Sequence, residues 1–257
     1  MECVMLARMD RVRTVEGLVG VFVKLDDAAG LAEACLYAVS GRFTHVFCGA
    51  TALSTQERYE QVQDALARAG QTCQWLGITP VLVGHLWPVD GNVSELLLDA
   101  GHYARRIEAL QTWANDLGPA WQTALDTEAY GRAGKTVPGS YDACALAQVI
   151  GGLTAPRPQY VWPAGSYKAE AGWLELLALL ATTGRVTEHT LRRSQHATWS
   201  ANPVYPAEVL FYSIMPDDPG HWTWADFFAQ PGPRIALPLE GANRSFEKLQ
   251  LATEIYR

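Results

Sequence analysis

The sequence predicts an α/β protein, a single (β/α)8 barrel of the TIM type built from all 257 residues. Short runs of β-branched and aromatic residues alternate with amphipathic helical segments, which is typical of parallel strands joined by helices. The length suits one such barrel. No linker rich in Pro, Gly or Ser and no internal repeat divides the chain, so we expect one domain, residues 1–257.

The first half of the chain shows this alternation most clearly. Four strands are predicted in it: Leu18–Lys24, Phe43–Gly49, Ile78–Pro88 and Ala120–Gly131. A helix follows Asp27, which can serve as its N-cap, and a second begins with a capping box of Ser54 and Glu57. A third helix ends at Gly118-Pro119.

The second half is less regular. Three further strands are predicted: Gln159–Pro163, Val209–Met215 and Arg234–Gly241. A sixth strand falls within "LRRSQHATWS", residues 191–200, but the sequence does not give its limits. Trp222 and Trp224 are assigned to a loop after the seventh strand, and "SFEKLQLATEIY" is the closing helix.

Composition excludes several classes of partner. Apolar residues make up 49% of the chain, enough for a large core, and the net charge of −7 argues against nucleic-acid partners and anionic membrane surfaces. The five cysteines form no C-x-x-C pair, so we expect reduced, mostly buried thiols. The first residues lack the apolar core of a signal peptide, which predicts a cytoplasmic protein or one released without a standard signal.

Acidic and aromatic residues recur where the predicted strands end. In a (β/α)8 barrel, functional side chains come from these carboxyl ends and the loops that follow them. Aromatic rings there provide flat surfaces for sugar rings. The pattern predicts a carbohydrate substrate, bound by residues at the ends of six strands: Lys24, His85, Trp87, Tyr130, Trp162, Trp199 and Tyr212.

Two carboxylates lie one residue apart at the end of the fourth strand. Asp126 and Glu128 share a face of that strand, with backbones about 6–7 Å apart. Because two such groups cannot both ionise freely, one pKa rises, and a raised carboxyl group can protonate a leaving oxygen. The alternative is that both acids bond to neighbouring loops or basic side chains, and the sequence leaves both open.

The stretch "ALDTEAYG" resembles the strand-four D-x-E signature of glycoside hydrolase barrels of the chitinase-like and lysozyme-like families. The resemblance implies that Glu128 is the proton donor and that Asp126 supports the substrate's N-acetyl group or the positive charge at the sugar. The chitinase-like pattern carries further acids upstream on this strand, where this chain has Trp121 and Ala124. The resemblance covers about ten residues and the barrel layout.

Glu240, at the end of the eighth strand, is a third candidate catalytic carboxylate. It can act as nucleophile or base opposite Glu128, or form a salt bridge with Arg244. The leading hypothesis is therefore an O-glycoside hydrolase. A barrel that binds glycan or protein within a larger assembly without cleaving it is the alternative.

No cofactor or metal is predicted. The six histidines show neither H-x-H nor H-E-x-x-H spacing, and no G-x-S-x-G nucleophile elbow is present. A metal-assisted hydrolase, with ligands gathered from distant strands, remains a third possibility.

Overall fold

The computed structural model describes residues 17–24, 31–40, 43–49, 53, 55–85, 100–126, 160–162, 189–194, 208–214 and 223–238. Eight strands lie in these ranges: β1 (Val19–Lys24), β2 (His45–Gly49), β3 (Thr79–His85), β4 (Gln122–Asp126), β5 (Tyr160–Trp162), β6 (His189–Ser194), β7 (Glu208–Ile214) and β8 (Arg234–Pro238). Four helices are described with them: α1 (Leu31–Ser40), α2 (Gln56–Trp75), α3 (Ala100–Leu117) and α4 (Trp224–Ala229).

Every strand pairs in parallel with the next strand along the chain. β1 also pairs in parallel with β8, through Val19 and Arg234, so the order of pairings runs from β1 to β8 and returns to β1. Helices α1, α2 and α3 follow β1, β2 and β3 in the chain. The predicted α/β class with parallel strands is therefore confirmed.

The buried residues form two clusters, one on each face of the sheet. The inner cluster comes from the strands and the residue before β1, and it contains Phe47, Val83 and Tyr160. The outer cluster joins the opposite face of the strands to the described helices. In α2 the predicted stripe is buried in full: Tyr59, Val62, Leu66, Ala69 and Cys73.

Helices α2 and α3 are held together by an aromatic pair. The rings of Tyr59 and Trp113 stack with centroids 5.2 Å apart and planes at 9°. The Trp113 indole N–H donates to Gln56 Oε1 at 2.6 Å, and the Tyr59 hydroxyl donates to the Trp113 carbonyl at 3.3 Å. Burial raises the pKa of Tyr59 to about 12, so this hydroxyl stays a donor even at a pH where an exposed tyrosine ionises.

Three cysteines meet in the outer cluster between β2 and the first two helices. Cys35, Cys48 and Cys73 are free thiols and fully buried. Hydrogen bonding with Cys48, together with burial, raises the pKa of Cys35, and hydrogen bonding with Cys35 does the same for Cys73. For these three residues the expectation of reduced, buried thiols is confirmed.

Three local predictions are corrected. Helix α2 has Thr55 as its N-cap, not Ser54, because the helix begins at Gln56 and Thr55 Oγ1 accepts from the Arg58 N–H. Strand β6 begins at His189, two residues before the predicted segment. The segment around Trp224 is a helix and not a loop.

The end of α3 follows the sequence-based expectation. Gly118 adopts a φ of 118°, which glycine tolerates far better than other residues, and its N–H closes the last turn on Ala114. Among the described residues, no helix combines the length and apolar character needed to cross a bilayer.

Candidate functional site

Side chains alternate between the two clusters along each strand. On β3, Val81 and Val83 belong to the inner cluster and Leu82 to the outer one. On β4, Ala124 is inner and Leu125 is outer. Successive strand residues face opposite sides, so every second position belongs to one series. We call the strand positions that lie on the same face of the sheet as the inner cluster the inner series.

Four predicted site residues are the last residues of their strands, and all four occupy inner-series positions. Each lies two residues beyond a member of the inner cluster or a residue packed against it, namely Phe22, Val83, Ala124 or Tyr160. These four strand-end positions, which we call the mouth, are Lys24, His85, Asp126 and Trp162.

Asp126 lies between two other mouth residues on the neighbouring strands. Its Cα is in register with that of His85 on β3 and with that of Trp162 on β5. Registered residues on neighbouring parallel strands are about 4.8 Å apart. The backbone thus places Asp126, His85 and Trp162 at registered positions at the carboxyl ends of three adjacent strands.

The mouth lies directly above apolar packing. Phe22, Val83 and Ala124, each two residues before a mouth residue, line the adjacent interior. Gly49 is registered with Lys24 and ends β2. A Cβ on Gly49 would lie 2.7 Å from Val83 Cβ and 2.9 Å from the Phe22 ring, so close packing of these two side chains requires glycine there. The last residue of β2, Gly49, therefore contributes no side chain of its own at this end of the strand.

The amino-terminal end of the inner series also carries polar residues, and these have partners inside the fold. We call His45, Gln122 and Tyr160 the floor. The Tyr160 hydroxyl donates to Gln122 Oε1 at 2.8 Å. His45 Nδ1 is 2.9 Å from Thr44 Oγ1, and the His45 ring stacks on Phe47 and meets the edge of Tyr160.

The remaining predicted site residues divide into two groups. Tyr212 lies in β7, and its register partner is Ala236, a member of the outer cluster; its neighbour Ser213 is registered with Leu237. Glu128, the principal predicted acid, follows β4 outside the described residues. Four other predicted site residues also lie outside the described residues: Trp87, Tyr130, Trp199 and Glu240.

One charged inner-series residue was missed by sequence reasoning. Tyr160 is registered with His189, so Leu191 and Arg193 share the inner alternation of β6. Arg193 is registered with Phe211, which in turn pairs with Ile235 of the inner cluster. In the sequence, the pair "RR" after Leu191 indicated that one of two arginines belongs to the inner series. Because the sequence did not give the start of β6, it could not decide which one.

No family model matches the chain, and no curated protein matches it. Solved structures do resemble it. A family 2 AP endonuclease from Brucella melitensis is 12% identical, with a TM-score of 0.54 over 93% of this chain and 99% of that one. An O-GlcNAc hydrolase mutant from Thermobaculum terrenum is 13% identical, with a TM-score of 0.51 over 93% of this chain and 59% of that one.

A third similar structure is the apo form of an endo-beta-N-acetylglucosaminidase from Cordyceps militaris. It is 8% identical, with a TM-score of 0.50 over 98% of this chain and 94% of that one. At such low identities these similarities show the fold alone. The three similar structures themselves belong to proteins of different activity.

Proposed function

We propose that this chain is an O-glycoside hydrolase on a single (β/α)8 barrel, with Glu128 as the proton donor and Asp126 as its anionic partner. One observation carries the proposal. Asp126 ends β4 at an inner-series position, registered between His85 and Trp162, directly above apolar packing. In barrel enzymes this edge of the strands is where catalytic groups are found.

The strand register supports the barrel. Registered partners lead from Lys24 on β1 through β2, β3, β4 and β5 to His189 on β6. Thr190, the residue after His189, pairs with Glu208 on β7. Two residues further along β7, Leu210 pairs with Arg234 on β8, and Arg234 pairs with Val19 on β1. The circuit thus returns to β1 eight residues before Lys24, which is the stagger of a (β/α)8 barrel.

The proposed chemistry divides the two acids of the D-x-E pair. Asp126 stays ionised and stabilises the positive charge that develops at the sugar, while Glu128 keeps its proton and donates it to the leaving oxygen. Glu240 is the proposed nucleophile or base. Trp162 and the predicted residues beyond the strands, Trp87, Tyr130 and Trp199, would provide the surfaces on which sugar rings pack.

Two of the similar structures have activities of the proposed kind. Two of the three are, by their descriptions, hydrolases of N-acetylglucosamine-containing compounds, and the third is an endonuclease. The D-x-E resemblance and the aromatic positions favour the first kind of chemistry over the second. A carbohydrate is therefore the proposed partner of the chain.

The test uses leaving groups of different acidity. Aryl glycosides and polysaccharides are screened with the wild-type chain, and Glu128→Gln is then compared on the best substrate. We expect a loss of about 10²–10⁴-fold in kcat on a poor leaving group and a much smaller loss on a dinitrophenyl glycoside, which needs no protonation. Glu108→Gln, an exposed change on α3, is the matched control.

Two results would count against the proposal. Equal activity of Glu128→Gln and wild type on the poor leaving group would remove Glu128 as the acid. Aromatic-dependent glycan binding with no turnover by the wild-type chain would instead favour the non-catalytic barrel.

A further inference from the structure

Phe22 differs from the inner cluster that it packs against in its contact with solvent. The members of the inner cluster are at most 3% exposed, whereas Phe22 is only partly buried. Its register partner on β2 is Phe47, which is fully buried. Two phenylalanines side by side on the same face of the sheet thus differ in their access to water.

The water that reaches Phe22 comes from the carboxyl ends of the strands. Phe22 lies two residues before the end of β1. On its amino-terminal side Leu18 and Gly20 are buried, and so is Ile235, which is registered with Gly20. In the proposed barrel an inner-series side chain meets water only through one of the two ends. Because the packing towards the amino-terminal end is closed, the exposed part of Phe22 faces the mouth.

Glycine at the end of β2 accounts for this exposure. Gly49 is registered with Lys24, two residues beyond Phe22 on β1. A Cβ on Gly49 would lie 2.9 Å from Cε2 of Phe22 and 3.2 Å from its Cζ, so the far edge of the ring lies against the Gly49 backbone. Since glycine has no side chain, the end of β2 leaves this edge uncovered.

The side chains around the exposed ring are apolar. The same Cβ position on Gly49 is 2.7 Å from Cβ of Val83, so Phe22 and Val83 lie close together there. Ala124 is registered with Val83 and lies two residues before Asp126. Among these described side chains there is no charge with which to bind a phosphate group, whereas the C–H face of a sugar ring packs well on an aromatic surface.

We propose that Phe22 is a specificity-determining residue whose ring supports the apolar face of a sugar ring bound at the mouth. This inference rests on the proposed function, because it names the surface on which the substrate of Asp126 and Glu128 would lie. Phe22 is suited to this contact since it combines a flat apolar ring, access from the mouth and a position beside Gly49.

The access to Phe22 is tested first, without a ligand. Phe22→Cys and Phe47→Cys are treated under native conditions with a small charged thiol reagent, and the wild-type chain gives the background of its own cysteines. We expect the new thiol at position 22 to react at least about 10-fold faster than the one at position 47, because buried thiols are inert. Equal rates would overturn the inference.

Binding is then measured by calorimetry and proton NMR, with oligosaccharides of N-acetylglucosamine as the probe. The chain carries Glu128→Gln, so that the proposed acid cannot cleave the probe. Phe22→Leu should weaken binding by about 10-fold and remove the upfield shift that an aromatic ring gives to sugar protons packed on its face. If Phe22→Leu does not fold, Phe22→Met takes its place, since the flexible methionine side chain fills irregular space.

Phe47→Leu is the matched control, because it makes the same change at the buried register partner. It should lower the thermal midpoint while leaving the affinity and the sugar proton shifts as they are without it. Equal losses of affinity in Phe22→Leu and Phe47→Leu would show that the effect comes from packing, and would overturn the sugar contact. Binding of DNA with an abasic site in place of any oligosaccharide would overturn it as well.

The outcomes separate this inference from the proposed function. Oligosaccharide binding that depends on Phe22, without hydrolysis by the wild-type chain, would refute the hydrolase and support the sugar contact. Hydrolysis that depends on Glu128, with the same KM in Phe22→Leu as in Phe47→Leu, would support the hydrolase and refute the sugar contact. When both proposals hold, KM rises about 10-fold in Phe22→Leu alone.

Discussion

The floor and the mouth both place polar residues along the inner series, at opposite ends of the strands. At the floor these residues are buried and bonded within the fold: Tyr160, 2% exposed, donates to Gln122, and His45, 7% exposed, lies beside Thr44. At the mouth they end their strands, beyond the last apolar packing. Polar residues at the floor should therefore affect stability, and those at the mouth should affect activity.

The largest expected effect comes from the mouth. Asp126→Asn removes the proposed anion while keeping nearly the same shape, so kcat/KM should fall by about 10²–10⁴-fold with the thermal midpoint preserved. Steady-state kinetics and thermal unfolding measure the two quantities. Asp64→Asn, an exposed change on α2, is the control. A loss of stability without loss of activity would reverse the comparison between the two ends.

The apolar packing between the two ends should give the largest change in stability. Phe47 is fully buried, and its ring lies 5.3 Å from that of Tyr160. Phe47→Ala should lower the free energy of unfolding by about 3–5 kcal/mol, because it removes the ring and leaves a cavity. Urea unfolding measures it. Leu36→Ala, at a position 45% exposed, should change stability by less than about 0.5 kcal/mol.

The floor should give a smaller effect on stability and none on the pH profile. Tyr160→Phe removes the donor to Gln122 Oε1, so unfolding free energy should fall by about 1–3 kcal/mol. Adding Gln122→Met to this variant should recover part of the loss, since neither polar partner then remains. Strictly additive losses in the double variant would show that the two side chains are not coupled.

The smallest effect concerns a carboxylate in the capping box of α4. Asp226 accepts hydrogen bonds from the hydroxyl and the N–H of Thr223 at the start of α4, and these bonds lower its pKa. Thr223→Ala should cost about 1 kcal/mol at neutral pH. Because the folded pKa is depressed, the part due to the Asp226 anion is present above pH of about 4 and is lost as the pH falls through the folded pKa.

Unfolding of Thr223→Ala and wild type at pH 7 and pH 3 measures this dependence. The difference between the two proteins should shrink in acid. Thr112→Ala on α3, whose hydroxyl bonds only to the Glu108 carbonyl, provides a control without a carboxylate. A difference that grows in acid would contradict the assigned sign.

Strand and helix positions in the first half were predictable because burial there follows sequence periodicity closely. The stripe from Tyr59 to Cys73 is buried as its spacing required, and β2 begins within two residues of its predicted start. Register was not predictable, since it depends on pairings between distant segments. For this reason the inner-series position of Arg193 emerged only from the pairing of Tyr160 with His189.

The segment at Trp224 shows a second limit. Closely spaced aromatics gave no clear helical stripe, yet tertiary packing holds a short helix there: the Trp224 ring meets the edge of Phe43, and Phe227 is fully buried. A six-residue helix gains little from its own hydrogen bonds and depends on such contacts. The proposed acid Glu128 was chosen from its place at the predicted end of the fourth strand and from the D-x-E resemblance, and its role stays a prediction.

The close packing around Gly49 has a consequence for which residues evolution can accept at the end of β2. A side chain on Gly49 would push apart Val83 and Phe22, so the folded protein would lose stability with the first added methyl group. Selection for folding alone would therefore keep glycine at the end of β2. In the proposed site, this packing requirement leaves the last residue of β2 without a side chain even where no ligand exerts selection.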